Sequence, residues 1–86
     1  MVLKRLRKDI DDIDQNLVLL LAKRISLIKK VYEFKQKNKI KIFDKKREKQ
    51  ILTEQSRLAK KLRLNPKLVY DIFKRILKES HNIMRK

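Results

Sequence analysis

Apolar residues recur along the first part of the chain at alternating intervals of three and four residues. The series consists of Leu3, Leu6, Ile10, Ile13, Leu17, Leu20, Leu27, Val31 and Phe34. This spacing is typical of an amphipathic helix with a heptad-like stripe, and no Pro or Gly interrupts it. We therefore predict one long helix over about residues 6–37, which is roughly 45 Å long at 1.5 Å per residue.

The helical period stops after this segment. In residues 38–43 polar and apolar positions alternate, and we interpret this stretch as a loop. Asp44 suits the N-cap of a second helix, because its carboxylate can accept hydrogen bonds from the free amides of a first turn. Helical spacing then resumes and predicts a second helix over about residues 44–63, with apolar positions at Ile51, Leu58 and Leu62.

A third helix is predicted over about residues 66–84. Asn65 and Pro66 are its start signal, with Asn as the cap and Pro at the first helical position. The chain has this single Pro and no Gly, whereas β-hairpins and phosphate-binding loops depend on Gly for positive φ angles. We therefore expect an all-α fold. The apolar stripe of the third helix comprises Val69, Ile72, Phe73, Ile76, Leu77 and Ile83.

The length of the chain limits how much of the first helix it can cover. Eighty-six residues suffice for a single domain over residues 1–86, with a small core. A compact domain of this size is about 30 Å across, so the long helix extends beyond it. An apolar stripe that its own chain cannot cover favours association through that helix. We expect an intertwined helical homodimer.

Composition narrows the possible chemistry. There is no Cys, which excludes a disulfide scaffold, a thiolate metal site and a cysteine nucleophile. Neither a secretory leader nor a stretch of ~20 apolar residues is recognisable, so we expect a cytoplasmic protein. The formal net charge of +16 attracts anions, but it does not distinguish nucleic acid from a small ligand.

Two cations occupy the face of the first helix where the pattern calls for apolar residues. Arg24 falls within the apolar series, and Lys35, eleven residues later, lies about 20° from it around the helix. A buried cation costs several kcal/mol unless it has a partner, so Arg24 implies a carboxylate or a bound anion. Alternatively, Arg24 extends its charge to the edge of the bundle.

Arg7 lies too far away to join these two cations within one helix. It is about 25 Å from Arg24 along the axis. A second, antiparallel copy of the helix would bring it to the same ligand. Taken alone, Arg7 is better explained as a solvated surface residue.

Further polar residues accompany the second and third helices. Asp44, Arg47 and Glu48 cluster at the start of the second helix, where they can be a cap, an exposed cation and a carboxylate that complements the helix dipole. Ser80 lies on the apolar stripe of the third helix, where its hydroxyl can donate to the carbonyl four residues back.

Other ionisable residues have simpler interpretations. His81, the single histidine, lies in a last turn, where a partly protonated imidazole suits the helix dipole. An acidic run near the start of the first helix complements the positive end of its dipole. Because this explains the run without a bound ion, we expect no metal site there. This run consists of Asp9, Asp11, Asp12 and Asp14.

Taken together, four segments closely resemble the all-helical AroQ-type chorismate mutases. They follow in order and with family-like spacing over nearly the whole chain. The segments are Leu6-Arg7-Lys8-Asp9-Ile10-Asp11-Asp12-Ile13-Asp14, Leu20-Leu21-Ala22-Lys23-Arg24, Val31-Tyr32-Glu33-Phe34-Lys35 and Asp44-Lys45-Lys46-Arg47-Glu48.

The resemblance implies a fold, a reaction and a site. The fold would be an intertwined homodimer of three-helix chains, and the reaction the Claisen rearrangement of chorismate to prephenate in Phe and Tyr biosynthesis, without cofactor or metal. Arg24 and the partner's Arg7 would hold the two carboxylates of chorismate, with Ser80 assisting at one of them. Lys35 would donate to the ether oxygen, while the ring-hydroxyl side would be lined by Asp44, Arg47 and Glu48.

One position departs from the family pattern. Four residues after the Ser, the family usually has a Gln, or in some members a Glu, as a second donor to the ether oxygen, whereas this chain has Met84. Met cannot donate a hydrogen bond. We therefore expect Lys35 to serve the ether oxygen nearly alone.

Three other functions fit parts of the sequence, the first of them that of a catalytically weak homologue that serves as a partner-binding or regulatory subunit. Isochorismate pyruvate-lyase is similar to the all-helical mutases in fold and uses a similar cationic pocket. The Asp44-x-x-Arg47-Glu48 motif nevertheless favours the mutase. A basic helical nucleic-acid-binding module would explain the charge, since removing the four proposed site cations leaves +12 of the +16. However, the cations are spread over all three helices and no recognition motif accompanies them, so we expect any binding of nucleic acid to be weak and non-specific.

Overall fold

The computed structural model describes residues 1–84 and contains three α-helices, with no strand in that range. These are α1 (Val2–Lys37), α2 (Lys45–Lys61) and α3 (Pro66–Met84). The all-α fold class, with one long and two shorter helices, is confirmed.

Two helix ends differ from the prediction. α1 begins at Val2, four residues early, because Leu, Lys and Arg at these positions favour a helix and nothing stops it. α2 ends at Lys61, two residues early, because Arg63 has a φ of 60° and has left the helical conformation.

Both predicted N-caps are present. The Asp44 carboxylate accepts a hydrogen bond from the backbone N–H of Arg47 at 2.9 Å. The Asn65 side-chain oxygen accepts one from the backbone N–H of Lys67 at 3.0 Å. Each cap satisfies an amide that has no partner within its helix, and so fixes where α2 and α3 begin.

The C-terminal ends of α1 and α2 close in the same way, although the chain has no Gly. Lys39 (φ 54°) and Arg63 (φ 60°) adopt left-handed conformations. The next amide then bonds back to a helix carbonyl, Ile40 N to Lys35 O at 2.9 Å and Leu64 N to Ala59 O at 2.8 Å. These are Schellman motifs, whose left-handed position is usually Gly because a Cβ is unfavourable there.

We expect Arg63→Gly to stabilise the protein by about 1 kcal/mol, because Gly removes the steric cost of the left-handed angle. For a domain of this size the thermal midpoint should rise by about 4–8 °C. Thermal unfolding followed by circular dichroism measures it. Arg63→Ala is the matched control, since it removes the same charge but keeps the Cβ. An equal rise in both variants would assign the gain to charge rather than to backbone geometry.

The core lies where α3 packs against the other two helices. A four-residue linker, residues 62–65, joins α2 to α3. These two helices pack along each other, and α3 also contacts α1, where Arg24 in the second half of α1 bonds to Ser80. Among residues 1–84, the buried side chains are Ala59, Leu77 and Ser80. The small core places α3 at the centre of the chain, between α1 and α2.

The first half of α1 extends away from this core. The chain measures 57 Å along its longest axis and has a radius of gyration of 16.2 Å, against about 12 Å for a compact domain of this length. The apolar stripe along this part of α1 is exposed, with Leu6 at 52% and Leu20 at 61%. A single chain therefore leaves uncovered the surface that the sequence pattern predicted to be an interface.

Within residues 1–84, no helix is both long enough and apolar enough to cross a membrane.

Candidate active site

A cavity of about 220 Å³ lies where the three helices and the loop before α2 meet. This is smaller than the roughly 300–1,000 Å³ of pockets for drug-sized ligands, so it suits a compact molecule. Its charged and polar lining residues are Arg24, Lys35, Asp44, Arg47, Glu48, Ser80 and His81, and its apolar lining residues are Ile28, Val31, Ile42, Phe43, Ile51, Leu77 and Met84.

Arg24 is fixed by a hydrogen bond across the helix interface. Its Nη1 donates to Ser80 Oγ at 3.0 Å, and the Ser80 hydroxyl donates in turn to the Ile76 carbonyl at 3.1 Å. The predicted bond from Ser80 to the carbonyl four residues back is therefore present. The Ser80 oxygen thus orients Arg24, and its single proton, donated here to the Ile76 carbonyl, is the one that it would offer to a ligand carboxylate.

Lys35 is tied to the loop before α2. Its Nζ donates to the backbone oxygen of Ile42 at 3.0 Å, which leaves two of the three ammonium protons available. Lys35 and Arg24 both line the cavity, in agreement with their predicted common face. The loop thus turns Lys35 toward the same space as Arg24.

Arg47 adds a third cation at the more exposed side of the cavity. Its Nη1 donates to Gln50 Oε1 at 2.8 Å. The pKa of Arg24 is lowered from its ordinary value, first because the guanidinium is partly buried and second because Arg47 repels its charge. Two cations that repel each other beside a cavity are typical of an anion-binding site.

The carboxylates of the cavity do not neutralise these cations. Asp44 caps α2, and Glu48 is engaged by His81. In the part of the chain that the structure describes, neither Arg24, Lys35 nor Arg47 has a carboxylate within ion-pair distance. Of the partners that the sequence left open for Arg24, a bound anion is therefore favoured.

His81 is the site residue that sequence reasoning missed. Its Nε2 lies 2.6 Å from Glu48 Oε2, and its ring packs on Phe43 with the centroids 4.8 Å apart. The interpretation as a helix-dipole residue was incomplete. Its position three residues before Met84 places the two on neighbouring parts of one face of α3, and this was the available signal.

Met84 and Arg7 complete the predicted set. Met84 is partly buried and lines the cavity, which it presents with a thioether in place of a donor. Arg7 lies outside the cavity, about 25 Å from Arg24 along the uninterrupted helix α1. The structure thus brings together seven of the eight predicted residues, namely Arg24, Lys35, Asp44, Arg47, Glu48, Ser80 and Met84.

No cluster of three or more His, Cys, Asp or Glu side chains that could hold a metal ion occurs within residues 1–84.

Comparisons with known proteins identify relatives of this chain. The T-protein of Enterobacter agglomerans is 35% identical over 79 residues, which cover 92% of this chain and 21% of that protein. The bifunctional chorismate mutase/prephenate dehydratase of Buchnera aphidicola subsp. Schizaphis graminum is 42% identical over 74 residues, or 86% of this chain and 19% of that protein. The T-protein of Haemophilus influenzae is 33% identical over 79 residues, with the same coverage as the first.

The chain thus spans about a fifth of the length of the curated relatives it matches. No solved structure matches it. The family comparison covers residues 6–85 and is described as chorismate mutase type II. Because that match includes nearly the whole sequence, this chain belongs to the chorismate mutase type II family.

Proposed function

We propose that this chain is a chorismate mutase of Phe and Tyr biosynthesis, which rearranges chorismate to prephenate. The observation that carries the proposal is the set of three cations, Arg24, Lys35 and Arg47, that surround a compact, partly apolar cavity without an ion-pair partner among residues 1–84. The family match is consistent with it. Chorismate is a small dianion with a hydroxylated cyclohexadiene ring, and its charge distribution suits this lining.

The reaction requires little from the protein except position and charge. In this Claisen rearrangement the ether carbon–oxygen bond breaks as a carbon–carbon bond forms within the same molecule, so no group leaves and no proton is transferred. The enzyme must hold the compact conformer in which the two carbons meet, and must stabilise negative charge that develops on the ether oxygen. Fixed cations in a confined site can do both.

Each cavity cation has a task in this proposal. Arg24, oriented by Ser80, retains donors for one substrate carboxylate, which a guanidinium binds in a two-point manner. Lys35 directs its remaining protons to the ether oxygen. Arg47, Asp44 and Glu48 line the side of the cavity that would receive the ring hydroxyl.

The second carboxylate calls for Arg7 from another copy of the chain. Two antiparallel α1 helices bring Arg7 beside the partner's Arg24 when the two-fold axis crosses α1 midway, between Gln15 and Asn16. The exposed apolar residues Ile13 and Leu17 flank that midpoint, so the same pairing covers the stripe that a single chain leaves in solvent. We therefore propose a homodimer with two shared sites.

A direct assay tests the activity. We expect the purified protein to consume chorismate and form prephenate, which chromatography separates although the two isomers have the same mass. Isochorismate is the control substrate, because release of pyruvate from it would identify the lyase instead. Formation of neither product, together with sequence-selective DNA binding at physiological salt, would contradict the proposal and favour the nucleic-acid-binding alternative.

The cytoplasmic location expected from the sequence stays a prediction.

A further inference from the structure

The contacts of His81 with Glu48 and Phe43 connect three of the four segments that line the cavity, namely α2, α3 and the loop before α2. The fourth segment, α1, takes no part in them. Glu48 belongs to α2, His81 to α3, and Phe43 to the loop between α1 and α2. The imidazole lies between the Phe43 ring, at a centroid distance of 4.8 Å and an interplanar angle of 51°, and the Glu48 carboxylate, at 2.6 Å. Both contacts restrict the orientation of the His81 ring.

The hydrogen bond in turn restricts Glu48. An ionised carboxylate is an acceptor only, so the Nε2–H of His81 donates to Oε2. The second oxygen, Oε1, accepts no hydrogen bond from any residue within 1–84. Within residues 1–84, Arg47 forms no ion pair with this carboxylate, and its Nη1 bonds to Gln50 Oε1 instead.

We propose that His81 is a positioning residue, which holds the Glu48 carboxylate through Oε2 so that Oε1 accepts a hydrogen bond from the ring hydroxyl of the substrate. This inference rests on the proposed function, because it assigns the hydroxyl side of that same site. His81 acts through Glu48 and does not touch the reacting atoms. Its contribution is to fix one acceptor for a hydroxylated ring, a task that a freely rotating Glu would perform less well.

A double-mutant cycle with chorismate tests this role. His81→Phe keeps a ring to pack on Phe43 but removes the hydrogen bond, and we expect it to raise KM about tenfold while kcat changes by less than about threefold. An interaction made equally in the ground state and the transition state affects KM in this way. In a Glu48→Gln background the same substitution should change KM by less than about twofold, since the effect passes through Glu48.

His81→Gln distinguishes positioning from a purely structural contact. Gln offers an amide N–H close to the position of Nε2, so it should restore KM to within about threefold of the wild type. Loss of thermal stability in His81→Phe without any change in KM would overturn the proposal. So would an equal tenfold effect of His81→Phe in both backgrounds, because His81 would then act independently of Glu48.

A second measurement is independent of turnover. His81 is the only histidine, so its ring nitrogens give unambiguous signals in ¹⁵N NMR. Glu48→Gln should shift these signals, whereas Glu54→Gln, at an exposed position of α2, should not. Unchanged signals in Glu48→Gln would overturn the pairing itself. If the wild type fails to convert chorismate, the proposed function fails, and this spectrum still decides whether His81 holds Glu48.

Discussion

We expect Lys35→Ala to lower kcat for chorismate by about 10³-fold while the helical circular dichroism spectrum stays unchanged. Loss of a single preorganised donor to a developing negative charge typically costs about 10²–10³ in rate. The effect should lie at the upper end here, because Met84, where the family usually has a donor, also lines this cavity. Without Lys35, neither position 35 nor position 84 would offer the ether oxygen a hydrogen-bond donor.

The control for this substitution is Lys37→Ala, an exposed position in the same last turn of α1. It removes an equal charge and should leave kcat within about twofold of the wild type. Combining Lys35→Ala with Met84→Gln should recover part of the lost rate, because Gln supplies an amide donor at the second position. A near-normal rate in Lys35→Ala would show that another group serves the ether oxygen.

Arg7→Ala and Arg24→Ala should each be nearly inactive alone, yet regain about a quarter of the wild-type activity when equal amounts of their chains are mixed and allowed to exchange. Random pairing makes half of the dimers mixed. In a mixed dimer, one site carries both substitutions and the other carries neither. Half of the dimers with one intact site out of two give one quarter of the activity, provided that Arg7 acts across the interface.

A second mixture is the matched control for this result. Arg24 and Lys35 line the cavity of one chain, so mixed dimers of Arg24→Ala and Lys35→Ala have one defect in each site and should stay inactive. Native mass spectrometry, with one chain tagged, verifies that exchange took place. Inactivity of the Arg7→Ala and Arg24→Ala mixture after verified exchange would place Arg7 outside the site.

The sequence predicted those features of the site that follow from helical spacing and local residue type. Arg24 and Lys35 share a face because both lie on one continuous helix, and the N-caps Asp44 and Asn65 follow from local chemistry that hardly depends on the rest of the fold. Periodicity and residue type were sufficient to predict these features. The prediction that one site unites Arg24, Lys35, Arg47 and Glu48 rested on the family resemblance and not on spacing.

Interactions between distant segments could not be predicted in this way. His81 and Glu48 are 33 positions apart, and their contact depends on how far α3 is rotated about its axis where it packs on α2. The two Schellman motifs were missed for a different reason. Their left-handed residues, Lys39 and Arg63, are residue types that rarely take this conformation, so composition pointed away from them.

The hydrogen bonds that hold Arg24 and Lys35 also determine when these side chains lose conformational entropy. A free Arg or Lys side chain samples many rotamers, and ordering it costs up to about 1.5–2 kcal/mol. In this chain Arg24 is already held by Ser80 at 3.0 Å and Lys35 by the Ile42 carbonyl at 3.0 Å. The chain therefore loses this side-chain entropy when it folds and not when it binds a ligand. A dianion would bind to two cations whose orientations are already fixed.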